Sequence, residues 1–531
     1  MFSSETIRLT GALTQTDATG RGHSSRGSDS DAYASRAFTA FLVAQVVCWT
    51  VYAIVAQSSS AMHHDMTEAW TWGKEFQLGY HKHPPFFAWV TAVWFHIFPR
   101  QDWCFYLLSA VNSAIGLLGV WMLAGRFLTG PTRLAAVLLL ALTPFHNFLS
   151  VNFNANSILL SVWPWTAYFF VRSLETRRLI DGALFGILAA IAVMCKYFSL
   201  LLLAPCFVAS LPHPEARRYY ASTAPYVTLL AFAVVIAPHA VWAIKSDIPT
   251  FIYLANKPHL PRSVLLQKTA MTALTSLAFH TLALLALIVT FRGEAFGLLA
   301  RGYRGLLNGG HRWIAVTALG PFVLTLLSGT VGNVKVSGNF VIPVFFLLPI
   351  GVLAAACAEV TLAQLGVLLR FGWGLMITAL LASPLIAFTL FASHNDLTKE
   401  PSRELAIEAT RLWRVAYRKP LRIVAASEAY GLGMAFYSPD TPSEFTQLRF
   451  DFAPWITLER LGREGILIAC LETDYDCKEV ARAISTDMTQ RTTLRLSRSY
   501  LWLEAPPMTF EITMIPPGSV LPPFRPMAYR N

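Results

Sequence analysis

The chain has 531 residues, of which 54% are hydrophobic and 14% charged, with a mean hydropathy of +0.47. So few charges on so apolar a chain exclude an ordinary water-soluble domain and imply an integral membrane protein. The formal net charge of +11 does not point to nucleic acid, because the basic residues alternate with apolar runs and no basic helix or aromatic RNA-binding motif occurs; membrane orientation and anionic lipid account for it.

Residues 1–36 are rich in Ser, Gly and Thr and lack a cleavage signature, so they read as a disordered cytoplasmic tail. A membrane region over 37–392 follows, with about eleven apolar runs, each suited to cross a hydrocarbon core of about 30 Å as a helix. They lie near 38–57, 103–124, 132–150, 156–172, 182–196, 198–211, 222–244, 269–291, 313–330, 339–357 and 372–392. Connections carrying Arg126 and Arg133, then Arg172, Arg177 and Arg178, then Arg217 and Arg218, then Arg292, Arg301, Arg304 and Arg312 fall on alternate sides, which the positive-inside bias makes cytoplasmic. The other connections then face outward, including a polar, aromatic loop over 58–102. An odd span count also places 393–531 outside, and its strand-like runs between helical segments predict a small α/β periplasmic domain. Cys470 and Cys477 lie there and could pair in an oxidising compartment. Cys48, Cys195, Cys206 and Cys357 fall inside predicted spans, as small buried hydrophobes do.

The outward basic residues are mostly lysines, namely Lys74, Lys82, Lys196, Lys245, Lys257 and Lys335. The topological bias disfavours them there, so they suggest an anionic ligand. The first outer loop holds HHDMTEAWTWGKEFQLGYHKHPPFFAW, from His63 to Trp89. Asp65 and Glu68 are three apart and share one helix face. Aromatic residues too interrupted to span follow, as in interfacial helices, and Pro84 and Pro85 fix the backbone that presents His81, Lys82 and His83.

D-x-x-E, a Trp-containing helix, GY, PP and an aromatic-Trp ending resemble the first outer loop of membrane glycosyltransferases of the C fold. The branch is the one shared by protein O-mannosyltransferases, the lipid A aminoarabinose transferase and the rhizobial galacturonosyltransferases. AVMCKYFSLLLLAP and PHAVWAIKSDIPTFIYL are similar to later segments of the same group, and the resemblance covers roughly the first 390 residues, most densely 60–260. It implies a polytopic C-type glycosyltransferase that takes a polyprenyl-phosphate-linked sugar at the periplasmic face of a bacterial inner membrane and passes it, with inversion, to a lipid, glycan or protein hydroxyl. Such a reaction needs a carboxylate to take the acceptor proton and cations to stabilise the departing phosphate. Asp65 matches the catalytic acid, with Glu68 as its partner. Lys196, Tyr197, Lys82 and His83 are the donor-phosphate candidates, and Asn154, Asn156 and Tyr80 those for sugar or acceptor. Members often carry an acid just before the fourth span, where this chain reads NFNANSILLSVW; Asn154 and Asn156 can bond hydroxyls but cannot act as bases.

No cofactor is called for by these motifs. A divalent metal is compatible with His63, His64, Asp65, His81 and His83, with His64, His81 and His83 the added metal candidates. His146 and His239, near span ends, read as local hydrogen-bonding groups. Walker, GxSxG, HExxH and Rossmann patterns are absent. The rival reading is a transporter or flippase of a lipid-linked sugar, which the placement of the acids in an outer loop disfavours. A scaffold without activity is a third reading, which the joint presence of Asp65, Glu68 and Lys196 opposes.

Overall fold

Long apolar runs become helices because hydrocarbon offers backbone N–H and C=O groups no partner outside the chain. The computed structural model describes residues 21–255, 260–307, 312–332, 334–393, 400–426 and 428–522. Its first helix, α1 (Arg21–Ala56), starts inside the segment expected to be a disordered tail, whose residues 1–20 lie outside the described ones, as does Lys257. Two short helices follow, α2 (His64–Glu75) and α3 (Phe86–Ile97), and then α4 (Asp102–Ala124). α5 (Gly130–Ala141) is succeeded at Pro144 by 3-10 turns reaching Ser150, the two parts bent by 78°. The chain continues through α6 (Leu159–Thr176), α7 (Leu179–Cys195), α8 (Leu200–Ser210), α9 (Ala216–Tyr220), α10 (Ala224–Lys245) and α11 (Pro249–Ala255). The remaining helices of this region are α12 (Arg262–Ala278), α13 (Thr281–Phe291), α14 (Ala295–Leu307), α15 (Arg312–Thr330), α16 (Leu348–Ala355) and α17 (Leu362–Ala392).

Six of these helical stretches are long and apolar enough to cross a bilayer, or seven if the bent pair is one span. The count falls short of the expected eleven for identifiable reasons. The run at 339–357 is not one helix: a 3-10 turn at Gly338–Val341 leads into α16, whose 8 residues reach only about 12 Å. Pro343 and Pro349 each remove a backbone donor there, which hydropathy does not register. α7 and α8 are apolar but only 17 and 11 residues long. In contrast, the run at 269–291 extends from α12 to α14 as a 46-residue helical stretch. α10 exposes Tyr226, Leu229, Leu230 and Val234, an apolar circumference that only lipid or another protein would cover.

The bundle has two chemically different ends. At one, ion pairs join Arg126 to Glu175, Arg172 to Asp181 (3.0 Å) and Arg177 to Glu215 (2.8 Å). At the other, where α1 and α17 finish and α4 begins, α2 and α3 pack together with the C-terminal unit. Gly73 permits the α2–α3 contact, since a Cβ there would lie 2.3 Å from the Ala88 carbonyl oxygen.

The C-terminal unit is α/β, as its alternation predicts. It comprises α18 (Ser402–Tyr417), β1 (Ile423–Ala426), α19 (Glu428–Tyr437), β2 (Ser443–Glu444), α20 (Leu458–Glu464), β3 (Ile466–Leu471), α21 (Tyr475–Ala483), β4 (Gln490–Leu496), β5 (Ser499–Tyr500), β6 (Leu503–Glu504) and β7 (Met508–Ile515). Five strands form a sheet in the order β2-β1-β3-β7-β4, parallel from β2 to β3 and antiparallel at β7, while β5 and β6 pair separately as a hairpin. The runs IVAA and ILIAC are buried on both faces, as strands covered by helices on both sides must be.

A disulfide joins Cys470 on β3 to Cys477 on α21. Closing so short a loop is worth about 2.5 kcal/mol. A Cys470→Ser/Cys477→Ser variant is therefore expected to lower the melting temperature of this unit by several degrees, which differential scanning fluorimetry with and without reductant would check.

This unit grips the outer loop through side chains. Tyr437 donates to the Asp102 carboxylate (3.2 Å) and accepts from the Met62 amide (3.2 Å). Arg403 forms an ion pair with the same carboxylate, Arg100 donates to the Ser438 carbonyl (2.8 Å) and Lys74 to that of Thr441.

Candidate active site

α2 begins where His63 supplies an N-cap: its Nδ1 accepts the Asp65 amide at 3.2 Å, satisfying one of the donors a helix start leaves open. That cap places Asp65 in the first turn, where the helix dipole favours a carboxylate. Glu68 follows one turn later on the same face.

Asp65 is joined to the membrane helices by two asparagines. Asn154 Nδ2 donates to Asp65 Oδ2 at 3.1 Å, and its own Oδ1 accepts the amides of Asn156 (2.8 Å) and Ser157 (3.0 Å). The turn is braced from below by Asn112, which donates to the Ser157 carbonyl at 2.7 Å. Asn156 Oδ1 in turn accepts from Lys196 Nζ. Lys196 caps the C-terminus of α7, and its ammonium lies 4.4 Å from the centre of the Phe340 ring, a cation–π contact. It therefore turns toward Asn156 and Phe340, where an ordinary span-end lysine would snorkel to water. A carboxylate and an ammonium thus stand at the two ends of one hydrogen-bonded line, Asp65–Asn154–Asn156–Lys196.

A direct ion pair lies one turn along. Lys82 Nζ meets Glu68 Oε2 at 2.6 Å, with the two side chains 17% and 5% exposed. Removing one partner of so buried a pair strands the other, at a cost of about 3–5 kcal/mol. The Pro84–Pro85 pair and a tight turn, closed by the Tyr80 amide on the His83 carbonyl at 3.0 Å, return Lys82 to α2.

The other sequence candidates divide. Tyr197 is bonded through its hydroxyl to His239 Nε2 (2.8 Å), and His239 Nδ1 meets the Leu78 carbonyl (2.7 Å). His239 is thus no local group: it ties α10 to the outer loop and to Tyr197. Tyr80 does not present its hydroxyl to a ligand. It stacks on Trp72 and donates to the Trp72 carbonyl at 2.6 Å, 2% exposed, which makes it a packing residue. The His83 ring lies edge-on to Phe87.

The metal expectation needs correction. Among the described residues, the group of three that could hold an ion is His63, His64 and Asp65, with ligand atoms within 4.8 Å of one another. His81 and His83 are not in it. His81 is stacked on Phe452 of the C-terminal unit, ring centres 4.0 Å apart. Burial, reinforced by Lys82, pushes its imidazole pKa down to about 3. An unfolded histidine takes its proton near 6.5, so below that pH the unfolded chain binds the proton that the native one refuses. Stability is expected to fall as the pH drops from about 6.5 toward 3. His81→Phe, which keeps the stack, should flatten that slope in urea titrations at several pH values.

Sequence reading passed over His63 as the N-cap, Phe340 and the scaffolding role of Asn112. His63 stood beside Asp65 and its type could have suggested a cap; nothing in the sequence marks Phe340 as the neighbour of Lys196.

The fold is similar to that of C-type membrane glycosyltransferases, the group that the outer loop resembles. Residues 82–242 match the family described as dolichyl-phosphate-mannose-protein mannosyltransferase. Among solved structures, the chain is similar to ArnT from Cupriavidus metallidurans in the apo state, with a TM-score of 0.56, 12% identity, and coverage of 92% of this chain and 99% of that one. The same relative bound to undecaprenyl phosphate aligns with a TM-score of 0.44 at 14% identity, covering 92% and 99%. No curated protein matches the chain.

Proposed function

We propose that this protein is an inverting glycosyltransferase that moves a hexose or pentose from a polyprenyl-phosphate donor to an acceptor hydroxyl of the cell envelope, in a lipopolysaccharide, another glycan or a protein. The observation that carries the reading is the line from Asp65 through Asn154 and Asn156 to Lys196. Asp65 takes the proton of the acceptor hydroxyl as its oxygen bonds to the anomeric carbon. On the opposite face the bond from that carbon to the phosphate oxygen breaks, and the departing phosphate gains the negative charge that Lys196 neutralises. Asn154 holds Asp65 in place, and Glu68 with Lys82 extends the polar surface toward the acceptor or donor headgroup.

The orientation follows from charge. The end of the bundle bearing Arg126, Arg172 and Arg177 is cytoplasmic by the positive-inside bias. The site and the C-terminal unit then face the periplasm of a bacterial inner membrane, and the Cys470–Cys477 disulfide suits that oxidising side.

The test compares envelope glycolipids and glycoproteins from cells with and without the protein by mass spectrometry, alongside cells carrying Asp65→Asn. Loss of one sugar mass from an envelope acceptor in both deficient strains is expected. An unchanged set of glycoconjugates, with lipid-linked sugar accumulating in one leaflet, would replace this reading with transport.

A further inference from the structure

The β5–β6 hairpin stands apart from the C-terminal sheet and carries at its tip two large apolar residues, Leu501 and Trp502, which are 66% and 76% exposed. Leu501 adopts a φ of 55°. A two-residue hairpin turn in water favours Asn or Gly at such a φ, and the left-handed region costs a leucine about 1–2 kcal/mol. An apolar pair this exposed, with Leu501 held at a costly φ, needs a partner.

The surroundings say what that partner is. The Trp502 ring lies 5.8 Å from that of Phe388 on α17, and Tyr500 lies 5.8 Å from Phe391. Along α17, Ile377, Leu381 and Leu385 are exposed and recur four apart, and Phe388 continues the same stripe one turn on. On a helix long and apolar enough to span, that stripe faces lipid. The exposed Arg370 marks one edge of the apolar stretch. Phe388 is 18 residues further along, about 27 Å at 1.5 Å per residue, which against a hydrocarbon core of about 30 Å puts it at the opposite boundary. Tryptophan concentrates at that depth because its ring is apolar and its N–H needs a polar neighbour.

We propose that the hairpin Ser499–Glu504 is a membrane-interface anchor, with Leu501 and Trp502 seated in the headgroup boundary of the bilayer around α17. The anchor is tied to the site as well as to the membrane. Tyr500 hydrogen-bonds Ser58 at 3.2 Å, just after α1 and seven residues before Asp65. Together with the Tyr437 hydroxyl on the Met62 amide, it holds the segment that enters α2 from two points, one of them fixed to the lipid surface. The anchor depends on the membrane-spanning character of α17 and stands whether or not the proposed reaction is correct.

The test places a cysteine at 502, with the exposed Cys357 and half-buried Cys48 replaced by alanine. The cysteine is labelled with the fluorophore NBD in the full chain reconstituted in phosphatidylcholine/phosphatidylglycerol nanodiscs. Emission should be quenched several-fold more by a nitroxide at the headgroup or at carbon 5 of the acyl chain than by one at carbon 12. The same label at Tyr475, on the helix packed against β3, should respond instead to aqueous iodide. The proposal is overturned if the label at 502 is quenched by iodide and by no lipid probe. Protection from both quenchers, as a second copy covering the tip would give, also overturns it, and so does strongest quenching from carbon 12. Should Trp502→Cys fail to fold, Leu501→Cys carries the same label and the same outcomes.

Discussion

Replacing Asp65 with asparagine is expected to lower sugar transfer by about 10³-fold, in the middle of the 10²–10⁴ range that a positioned general base contributes, or about 4 kcal/mol in activation free energy. The substitution isolates chemistry from structure. Asparagine is nearly isosteric with aspartate, its carbonyl oxygen can still accept from Asn154 Nδ2, and its backbone amide still donates to the His63 cap. What it loses is the capacity to take a proton. Expression, melting temperature and affinity for the lipid-linked donor should therefore stay close to the parent. The measurement is single-turnover transfer from a polyprenyl-phosphate sugar in nanodiscs, with donor binding recorded in parallel. Transfer within a few-fold of the parent would remove Asp65 from the role of base.

Lys196→Gln should cost about 10²–10³ in kcat, the range found when one group that stabilises developing negative charge is removed. A glutamine can still donate to Asn156 Oδ1, so the turn that carries Asn154 keeps its partner while the ammonium charge disappears. The effect has a signature that a structural role would lack. If Lys196 neutralises the leaving phosphate, a donor whose leaving group is intrinsically more stable should depend on it less. A polyprenyl-diphosphate-linked sugar should therefore recover part of the lost rate in the variant relative to the parent. Equal losses on both donors, or a change in KM alone, would assign Lys196 to positioning or to uniform binding. Because Asp65 and Lys196 end the same hydrogen-bonded line, the double variant should lose much less than the product of the two single losses.

Much of this site was legible because short-range rules governed it. The three-residue spacing of Asp65 and Glu68 put both on one face of α2, Pro84–Pro85 marked a rigid return of the chain, and a lysine at the end of α7 was anomalous for the outward side expected of it. The alternation of buried strand-like runs and amphipathic helices beyond residue 400 announced an α/β unit. What hydropathy could not report was where a run stops being one helix. Pro144 breaks one apolar stretch by 78° and the segment around Pro343 unwinds another, since an apolar side chain contributes equally to a straight helix, a bent one or a turn. Partners distant in sequence were equally invisible. Tyr80 is a sugar or acceptor candidate and His81 a metal candidate by sequence, yet one lies flat on Trp72 and the other on Phe452, some 370 residues downstream. Asn154 was read as a departure from a pattern of acids; its position shows how a neutral amide serves there, since it can donate to Asp65 and accept from the backbone at once, which a second carboxylate could not do.

The grip of Tyr437 on Met62 and Asp102, and of the Thr441 carbonyl on Lys74, joins residues more than 330 positions apart. A ribosome that has released the chain as far as Ala392 has delivered every helix of the bundle and none of these clasps. The segment leading into the carboxylate-bearing helix must then wait, half-assembled at the membrane surface, for the last quarter of the polypeptide to emerge and fold. The proposed activity is thereby tied to completion of synthesis, and a nascent or truncated product is left without the means to hold the candidate site in shape.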